Sequence, residues 1–519
     1  MDMEQLSYGS FGSIAIATIL FSLVLRLALG GKDTGVKLPP GPWNLPVIGS
    51  LHHLASTKLL AHRALLSLSR RHGPLMLLKL GEVSTVIAST PEAAMEVLKT
   101  NDLALAIRPS GPTVDAISSG GKGLIFAPYG EHWRQMRKVC IVELLGTRQV
   151  WRIESIIQDE VAYLVESVAA APSVVKLGEA LAQLTSNVIA RAAFGSKCPQ
   201  QEEYLRELER MTNLLGGFSL VDLFPSSLLV RWLSGSERDM RRSVGRVHRI
   251  LGDIIDKRKE KKPSTSAAIR DDEDLLDVLL RLQKEDTLRI PLTSEIISAV
   301  LFDIFGAATD TTAVTLEWAM AELIRNPHVM ARAKLEVRER LGKGRSTVTS
   351  ADLGDLRYLR MVIKETLRLH PASALIHRSS QQNCQVMGYD IPKGTTFTIN
   401  AFAVGRDPTH WGKDAADFLP ERFEESGASS VEYKQGTQME FIPFGAGRRQ
   451  CPGALFATTT IEFVLANLLY HFDWAVPDGA GPDALDMSEV FGIVLRPKSS
   501  LCAEAVRSSH SAEALVCVS

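Results

Sequence analysis

The stretch Pro443-Phe-Gly-Ala-Gly-Arg-Arg-Gln-Cys-Pro-Gly453 sets a single cysteine, Cys451, among glycines and behind two arginines. Four chemistries can place a thiol there. A structural thiol rarely needs flanking glycines. A disulfide is disfavoured if the body of the chain is cytosolic. A nucleophilic cysteine needs a histidine base, which can be distant in sequence, so that reading stays open. The fourth is a thiolate ligand to haem iron, and it accounts for the whole loop. Gly445, Gly447 and Gly453 let the backbone turn tightly and approach a flat macrocycle that side chains would obstruct. Backbone N–H groups and nearby arginines favour a negative sulfur. Pro452 is expected to open the next helix, "PGALFATTTIEFVLANLLY", where proline is tolerated.

The totals set bounds around that loop. A chain of 519 residues can bury a large core, and length alone suggests about three domains. With 58 basic and 59 acidic residues there is no basic excess, which argues against a nucleic-acid partner. The six cysteines, Cys140, Cys198, Cys384, Cys451, Cys502 and Cys517, show no CxxC spacing, and no zinc-type ligand cluster or repeat appears.

Residues 11–30, "FGSIAIATILFSLVLRLALG", form an apolar run about one bilayer thick. Asp2 and Glu4 precede it while Lys32 and Lys37 follow, placing the C-terminal bulk in the cytosol. The expected organisation is a membrane anchor over 1–31, a proline-rich linker over 32–50, one large domain over 51–503 and a tail over 504–519. The linker, "KLPPGPWNLPVIGS" at its core, reads as a stiff spacer. Residues 74–90 read as two strands joined at Gly81-Glu82, and residues 385–400 as strand with a turn at Pro392-Lys393-Gly394. Residues 261–274 are polar and read as a surface loop. Most of the rest has helical period, so the fold class is mainly α with small β-sheets, and no Pro/Gly linker splits the body.

The cysteine loop resembles that of the cytochrome P450 family, Phe-x-x-Gly-x-Arg-x-Cys-x-Gly, at Phe444, Gly447, Arg449, Cys451 and Gly453. The resemblance covers the chain from the anchor to about residue 501. It implies the P450 fold, haem b with Cys451 as the iron ligand, and monooxygenase activity. Phe444, Gly445 and Arg449 are then cofactor-binding, Phe444 beside the sulfur and Arg449 at a propionate.

Three further patterns follow the family's order. Glu365 and Arg368 of "KETLR" share one helix face at i,i+3; alone they are a surface ion pair, and the resemblance implies a buried network completed by Arg422 of "FLPERF". Trp133 and Arg137 of "WRQMR" project together at i,i+4; the resemblance gives them a haem propionate, with Arg378 in a similar role. Residues 294–327 read as a long helix ending at Asn326-Pro327, its middle broken by Gly306, Ala307, Ala308, Asp310, Thr311 and Thr312. The plain reading is a crossing point of small residues against another helix. The family reading makes it the oxygen-activating helix, with Thr311 donating a hydrogen bond to oxygen and Asp310, through water, supplying protons. Ala308 stands where the family usually has Gly, narrowing that groove by a methyl group. Gln450, beside the cysteine, replaces a residue that is apolar in many members.

The resemblance also implies electrons from NADPH through a membrane-bound cytochrome reductase, since this chain shows no flavin or dinucleotide loop of its own. Cytochrome b5 is a second candidate donor. Arg134, Lys138 and Arg448 are candidates for the docking face. The expected substrate pocket draws on Ile117, Leu124, Val300, Ile304, Ala307, Ala374, Leu375, Ile376, Phe491 and Ile493. This lining is mainly aliphatic and suits a hydrophobic, membrane-partitioned substrate. The proline-rich segment is similar to that of plant endoplasmic-reticulum members making specialised metabolites, with sesqui- or diterpenes the first choice and phenolics, indoles or alkaloids the alternatives. Two rival classes are a reductase-independent haem-thiolate isomerase or dehydratase, against which the Asp310-Thr311 pair argues, and a non-catalytic haem sensor.

Overall fold

The computed structural model describes residues 35–510 apart from 172, 199, 217–218, 261–272, 346–347 and 425–437, together with Thr18. The apolar run at 11–30 apart from Thr18, most of the 261–274 loop and the tail beyond 510 lie outside the described residues.

The helices used below are α1 (Ala61–His72), α2 (Pro112–Ile117), α3 (Glu131–Val139), α4 (Leu177–Phe194), α5 (Leu228–Ser234), α6 (Ser236–Glu260), α7 (Ser294–Arg325), α8 (Arg357–Leu369) and α9 (Ala454–His471). The strands are β1 (Leu75–Leu80), β2 (Val83–Ala88), β3 (Val174–Lys176), β4 (Leu375–Ser379), β5 (Cys384–Val386), β6 (Tyr389–Ile391), β7 (Thr396–Asn400), β8 (Phe472–Ala475), β9 (Glu489–Val490), β10 (Arg496–Pro497) and β11 (Cys502–Arg507).

The helix α7 is the spine. The Thr293 side chain accepts the Ile296 amide at its start, satisfying one of the donors a helix leaves unpaired. It stops at Arg325, where the Asn326 side chain returns to the Glu322 carbonyl and Pro327 begins the next helix. It is long and apolar enough to span a membrane, yet most of it is buried in the protein, so it is a core helix. It packs along α4 and against α6, α8 and α9. Helix α8 differs: Met361, Val362, Glu365 and Arg368 are buried, while Arg360 and Lys364 are partly exposed.

The main sheet has the order β1-β2-β7-β4. β1 and β2 form the hairpin over Gly81-Glu82, with Leu80 opposite Val83. β7 joins β2 in parallel and β4 antiparallel. The 385–400 segment holds three strands: β5 and β6 make their own hairpin through Met387-Gly388, both at positive φ, and after the turn at Pro392-Lys393-Gly394 β7 crosses into the main sheet.

Three sequence boundaries move. The proline-rich segment is strapped to β1: Leu77 donates to the Pro40 carbonyl and Ser50 to the Lys79 carbonyl, and a Cβ on Gly41 would lie 2.0 Å from the Leu77 oxygen. Residue 503 does not end the folded body, because β11 runs to Arg507 between β3 and β8. Helix α9 starts at Ala454 with Gly453 as its N-cap, so Pro452 precedes the helix instead of opening it.

Candidate active site

The cysteine loop follows the meander at 405–423 and precedes α9 in the chain. Gly445 and Gly447 both adopt positive φ, at 67° and 71°. A Cβ on Gly447 would also meet the Leu98 carbonyl at 2.1 Å, so glycine is required there twice over. A Cβ on Gly445, by contrast, would meet nothing closer than Ile376 at 4.0 Å. The Cys451 amide donates to the Phe444 carbonyl at 2.9 Å, closing the loop without using the sulfur. Cys451 is exposed, yet the protein around it raises its thiol pKa against the pull of the Gly453 amide and Arg137.

Behind the loop lies an arginine cluster. Arg137 of α3 donates to the Gln450 carbonyl at 2.8 Å. Arg449 sits 4.5 Å from the Trp133 ring centroid and donates to the carbonyls of Ala106, Leu124 and Ala127. Arg378 of β4 and Arg108 both donate to the His377 carbonyl. Burial, reinforced by mutual repulsion, pushes Arg449 down to about 9 and Arg378 well below its ordinary value. Burial alone takes Arg108 to about 10, and its Nε has no partner. Asp102 is the carboxylate within reach of this cluster, and it is engaged by the Arg448 amide and side chain. Arg137, Arg378 and Arg449 feel Asp102, which Arg448 already pairs with, while Arg108 adds positive charge against Arg378 and Arg449; the excess makes an anion-seeking recess. Arg108 and Asp102 were missed in the sequence reading; neither belongs to a periodic pattern.

Leu124 ties this recess to α7. Its carbonyl accepts Trp133 Nε1 at 3.2 Å and Arg449 Nη1 at 3.2 Å, while its amide donates to Asp303 at 2.5 Å. Ile125 donates to the same Asp303 oxygen at 3.0 Å. A Cβ on Gly123 would lie 2.3 Å from that oxygen, so the loop can reach the carboxylate only through glycine. The signal in the sequence was a lone acid in the apolar run "AVLFDIFG".

Burial raises the Asp303 pKa to about 6, outweighing its two amide hydrogen bonds. A carboxyl raised in the fold contributes stability that is complete below its unfolded value near 3.8 and is lost as pH rises through 6. Asp303→Asn should therefore gain on the wild type by up to about 3 kcal/mol between pH 4 and pH 7. Chemical denaturation at both pH values measures it, and a pH-independent difference would contradict the assignment.

Farther along α7, Ala307 is exposed in a helix that is otherwise largely buried, and Gly306, Ala308, Asp310 and Thr311 are half-buried. The Thr311 hydroxyl donates to the Ala307 carbonyl at 2.8 Å. Asp310 turns to another side and pairs with Arg496 of β10 at 2.5 Å. Burial raises its pKa against the pull of Arg496. Of the expected pocket residues, Ile376 and Phe491 are half-buried and Ile493 is 37% exposed. Ile117, Leu124, Val300, Ile304, Ala374 and Leu375 are packed into hydrophobic clusters. A separate cleft of about 920 Å³ opens beside Arg108, between β2, α2 and β7, and none of those ten residues lines it.

Glu365 and Arg368 are both wholly buried and pair bidentately at 2.7 Å. Arg422 and the Leu419 amide also donate to Glu365, each at 2.8 Å. Arg368 reaches on to the carbonyls of Gly405, Ala415 and Asp417. The network thus clamps the meander that precedes the cysteine loop.

The sequence matches the cytochrome P450 family profile over residues 39–502. The chain belongs to the cytochrome P450 family. Among curated proteins this P450 is 44% identical to a desmethyl-deoxy-podophyllotoxin synthase of Sinopodophyllum hexandrum, over 96% of this chain and 97% of that one. It is 43% identical to a dolabradiene monooxygenase of Zea mays, covering 94% and 96%. It is 42% identical to a germacrene A hydroxylase of Saussurea costus, covering 94% and 97%. A zebrafish cytochrome P450 structure with abiraterone superposes with a TM-score of 0.73 at 25% identity, covering 87% of this chain and all of that one.

This P450 is accordingly a haem-thiolate monooxygenase. Its residues fit the cofactor on two counts. The arginine cluster, with its unpartnered Arg108 Nε, matches a group bearing two carboxylates. The backbone at Gly445 leaves room for a flat ring, because a Cβ there would approach only Ile376.

Proposed function

We propose that this P450 draws electrons from NADPH through a membrane-bound cytochrome reductase and inserts one oxygen atom into a hydrophobic plant specialised metabolite. A sesqui- or diterpenoid, hydroxylated or epoxidised, is the first-choice substrate. The carrying observation is that Ala307, Ile376, Phe491 and Ile493, the expected pocket residues that are at least partly exposed, are all apolar, which suits a hydrophobic substrate. Germacrene A hydroxylase and dolabradiene monooxygenase among the relatives support a terpenoid. The podophyllotoxin-type relative, at 44% identity against 42% for germacrene A hydroxylase, supports no single class by identity alone.

In this reading Cys451 is the iron ligand, and Trp133, Arg137, Arg378 and Arg449, joined by Arg108, hold the haem carboxylates. Phe444 and Gly445 shape the loop beneath the ring. Haem supplies the activation of dioxygen. The chain supplies position and protons: the Thr311 hydroxyl, which donates to the Ala307 carbonyl, is the proposed donor beside the small residues of α7, and the half-buried Asp310 exchanges protons on the Arg496 side. Thr311→Ala should retain haem but lower product formed per NADPH about tenfold or more, with hydrogen peroxide released instead. Unchanged coupling would remove Thr311 from the mechanism.

The endoplasmic-reticulum membrane is the proposed site of action. Helix α5 buries none of its residues and exposes Leu228, Leu229, Trp232 and Leu233. Trp43, Val47 and Ile48, which follow the apolar N-terminal run, are exposed as well. Both segments adjoin the β1–β2 turn, where Gly81 donates to the Ile48 carbonyl and Glu82 accepts from Ser226, just before α5. Arg134, Lys138 and Arg448 form the proposed reductase face, and Arg134 and Arg448 both stack on Tyr129. Incubating membranes of the expressed chain with reductase, NADPH and a panel of terpene, phenolic and indole substrates tests the proposal. Oxygenated terpenes support it, whereas turnover confined to another class overturns the terpenoid assignment.

A further inference from the structure

The turn carrying Phe491 and Ile493 is strung between two ion pairs. At its exit, Arg496 pairs with Asp310 of α7, while the Leu495 amide donates to Ala372 and its carbonyl accepts Trp318 Nε1. At its start, Glu489 of β9 is buried and meets α1. His62 Nε2 lies 3.2 Å from Glu489 Oε2, and Arg63 Nε donates to the same oxygen at 2.9 Å. Side-chain exposures of 0% for His62 and 2% for Glu489 put this pair wholly inside the protein. The His62 ring also stacks on Phe491 at 5.6 Å and packs edge-on against Phe402 at 4.5 Å. The Asn400 side chain holds the His62 carbonyl at 2.8 Å, fixing α1 to the end of β7.

A buried ion pair is a poor source of net stability, because desolvation offsets most of its attraction. What it supplies is a fixed geometry. Burial would raise the Glu489 pKa, but the hydrogen bond from His62 and the charge of Arg63 outweigh it and hold the group at about 2. The carboxylate is therefore ionised throughout the physiological range and tied to α1. Two residues later the chain reaches Phe491, and the Gly492 Cα lies 3.8 Å from where a Cβ on Gly216 would sit.

We propose that Glu489, gripped by His62 and Arg63, is a positioning residue for substrate selection: it sets how far the Phe491–Ile493 tip reaches over the bound substrate. The inference rests on the reading of Phe491 and Ile493 as pocket residues. The pair spans more than four hundred residues of sequence, so no local pattern announces it.

Optical titration of the haem-loaded full chain with two iron-binding azoles tests this. Imidazole reads only the iron, whereas clotrimazole also fills the space above it. Glu489→Ala should weaken clotrimazole about tenfold, equivalent to 1.4 kcal/mol, and leave imidazole within twofold. Glu489→Gln, which keeps an acceptor for His62, should restore most of the clotrimazole affinity. His62→Gln is the milder second variant, losing the stack on Phe491, and should show the same selective weakening. Equal losses for both azoles, or unchanged clotrimazole binding, overturn the proposal. Ile493→Phe separates the two readings. If it leaves clotrimazole unaffected, the pocket assignment fails; if it alters clotrimazole while Glu489→Ala and His62→Gln do not, only the positioning role fails.

Discussion

Glu365→Ala is expected to yield protein that does not retain haem and that unfolds at room temperature or close to it. The carboxylate takes hydrogen bonds from Arg368, Arg422 and the Leu419 amide, and it is entirely buried. Its removal leaves the Arg368 guanidinium buried without its counter-charge. Breaking one side of such a pair costs about 3–5 kcal/mol, a large share of a domain's total of ~5–15 kcal/mol. The damage also propagates, because the same arginines hold the carbonyls at 405, 411, 414, 415 and 417. Glu365→Gln should fall between the two, retaining acceptor geometry while losing charge. Haem content and thermal melting measure the effect, and full haem retention in Glu365→Ala would refute the clamp.

Cys451→Ala should have the opposite profile: little change in folding and a loss of turnover of about a thousandfold or more, the scale set by a group that acts in the chemistry itself. The loop closes through the Cys451 amide to Phe444, and alanine keeps that bond. Gly447, Arg449 and Arg137 hold the loop independently of the sulfur. The reduced, carbon-monoxide-treated protein should lose the thiolate-shifted Soret band while its circular dichroism is retained. A retained band would exclude Cys451 as the ligand. Taken together, the two substitutions separate a residue that builds the site from one that works in it.

What could be read early followed from local physics. Glycines at positive φ, a proline that cannot continue a helix and alternating apolar residues in a hairpin are all short-range constraints. They marked the cysteine loop, the end of α7 and the β1–β2 turn. Composition, with 58 basic against 59 acidic residues, argued against a nucleic-acid partner. The strand character of 385–400 and its turn at Pro392-Lys393-Gly394 were legible, but not the pairing, because strand character does not say which strand is the neighbour; Met387-Gly388 turns β5 onto β6, and only β7 finds the main sheet.

The remaining site residues had no sequence period to reveal them. Asp303 holds the Leu124 and Ile125 amides across 179 and 178 residues, and Arg496 finds Asp310 across 186. Arg108 joins Arg137, Arg378 and Arg449 from four separate segments. Charge pairing inside a low-dielectric core is decided by proximity, which the order of residues does not encode at such separations. The sequence by itself determined that this chain folds as a mainly helical P450 with a cysteine in a glycine-built loop, because those features depend on backbone conformation over a few residues. The tertiary structure alone decided which buried charges face one another and where the pocket turn is tied, because burial makes each such contact strong only once the distant partner has been brought to it.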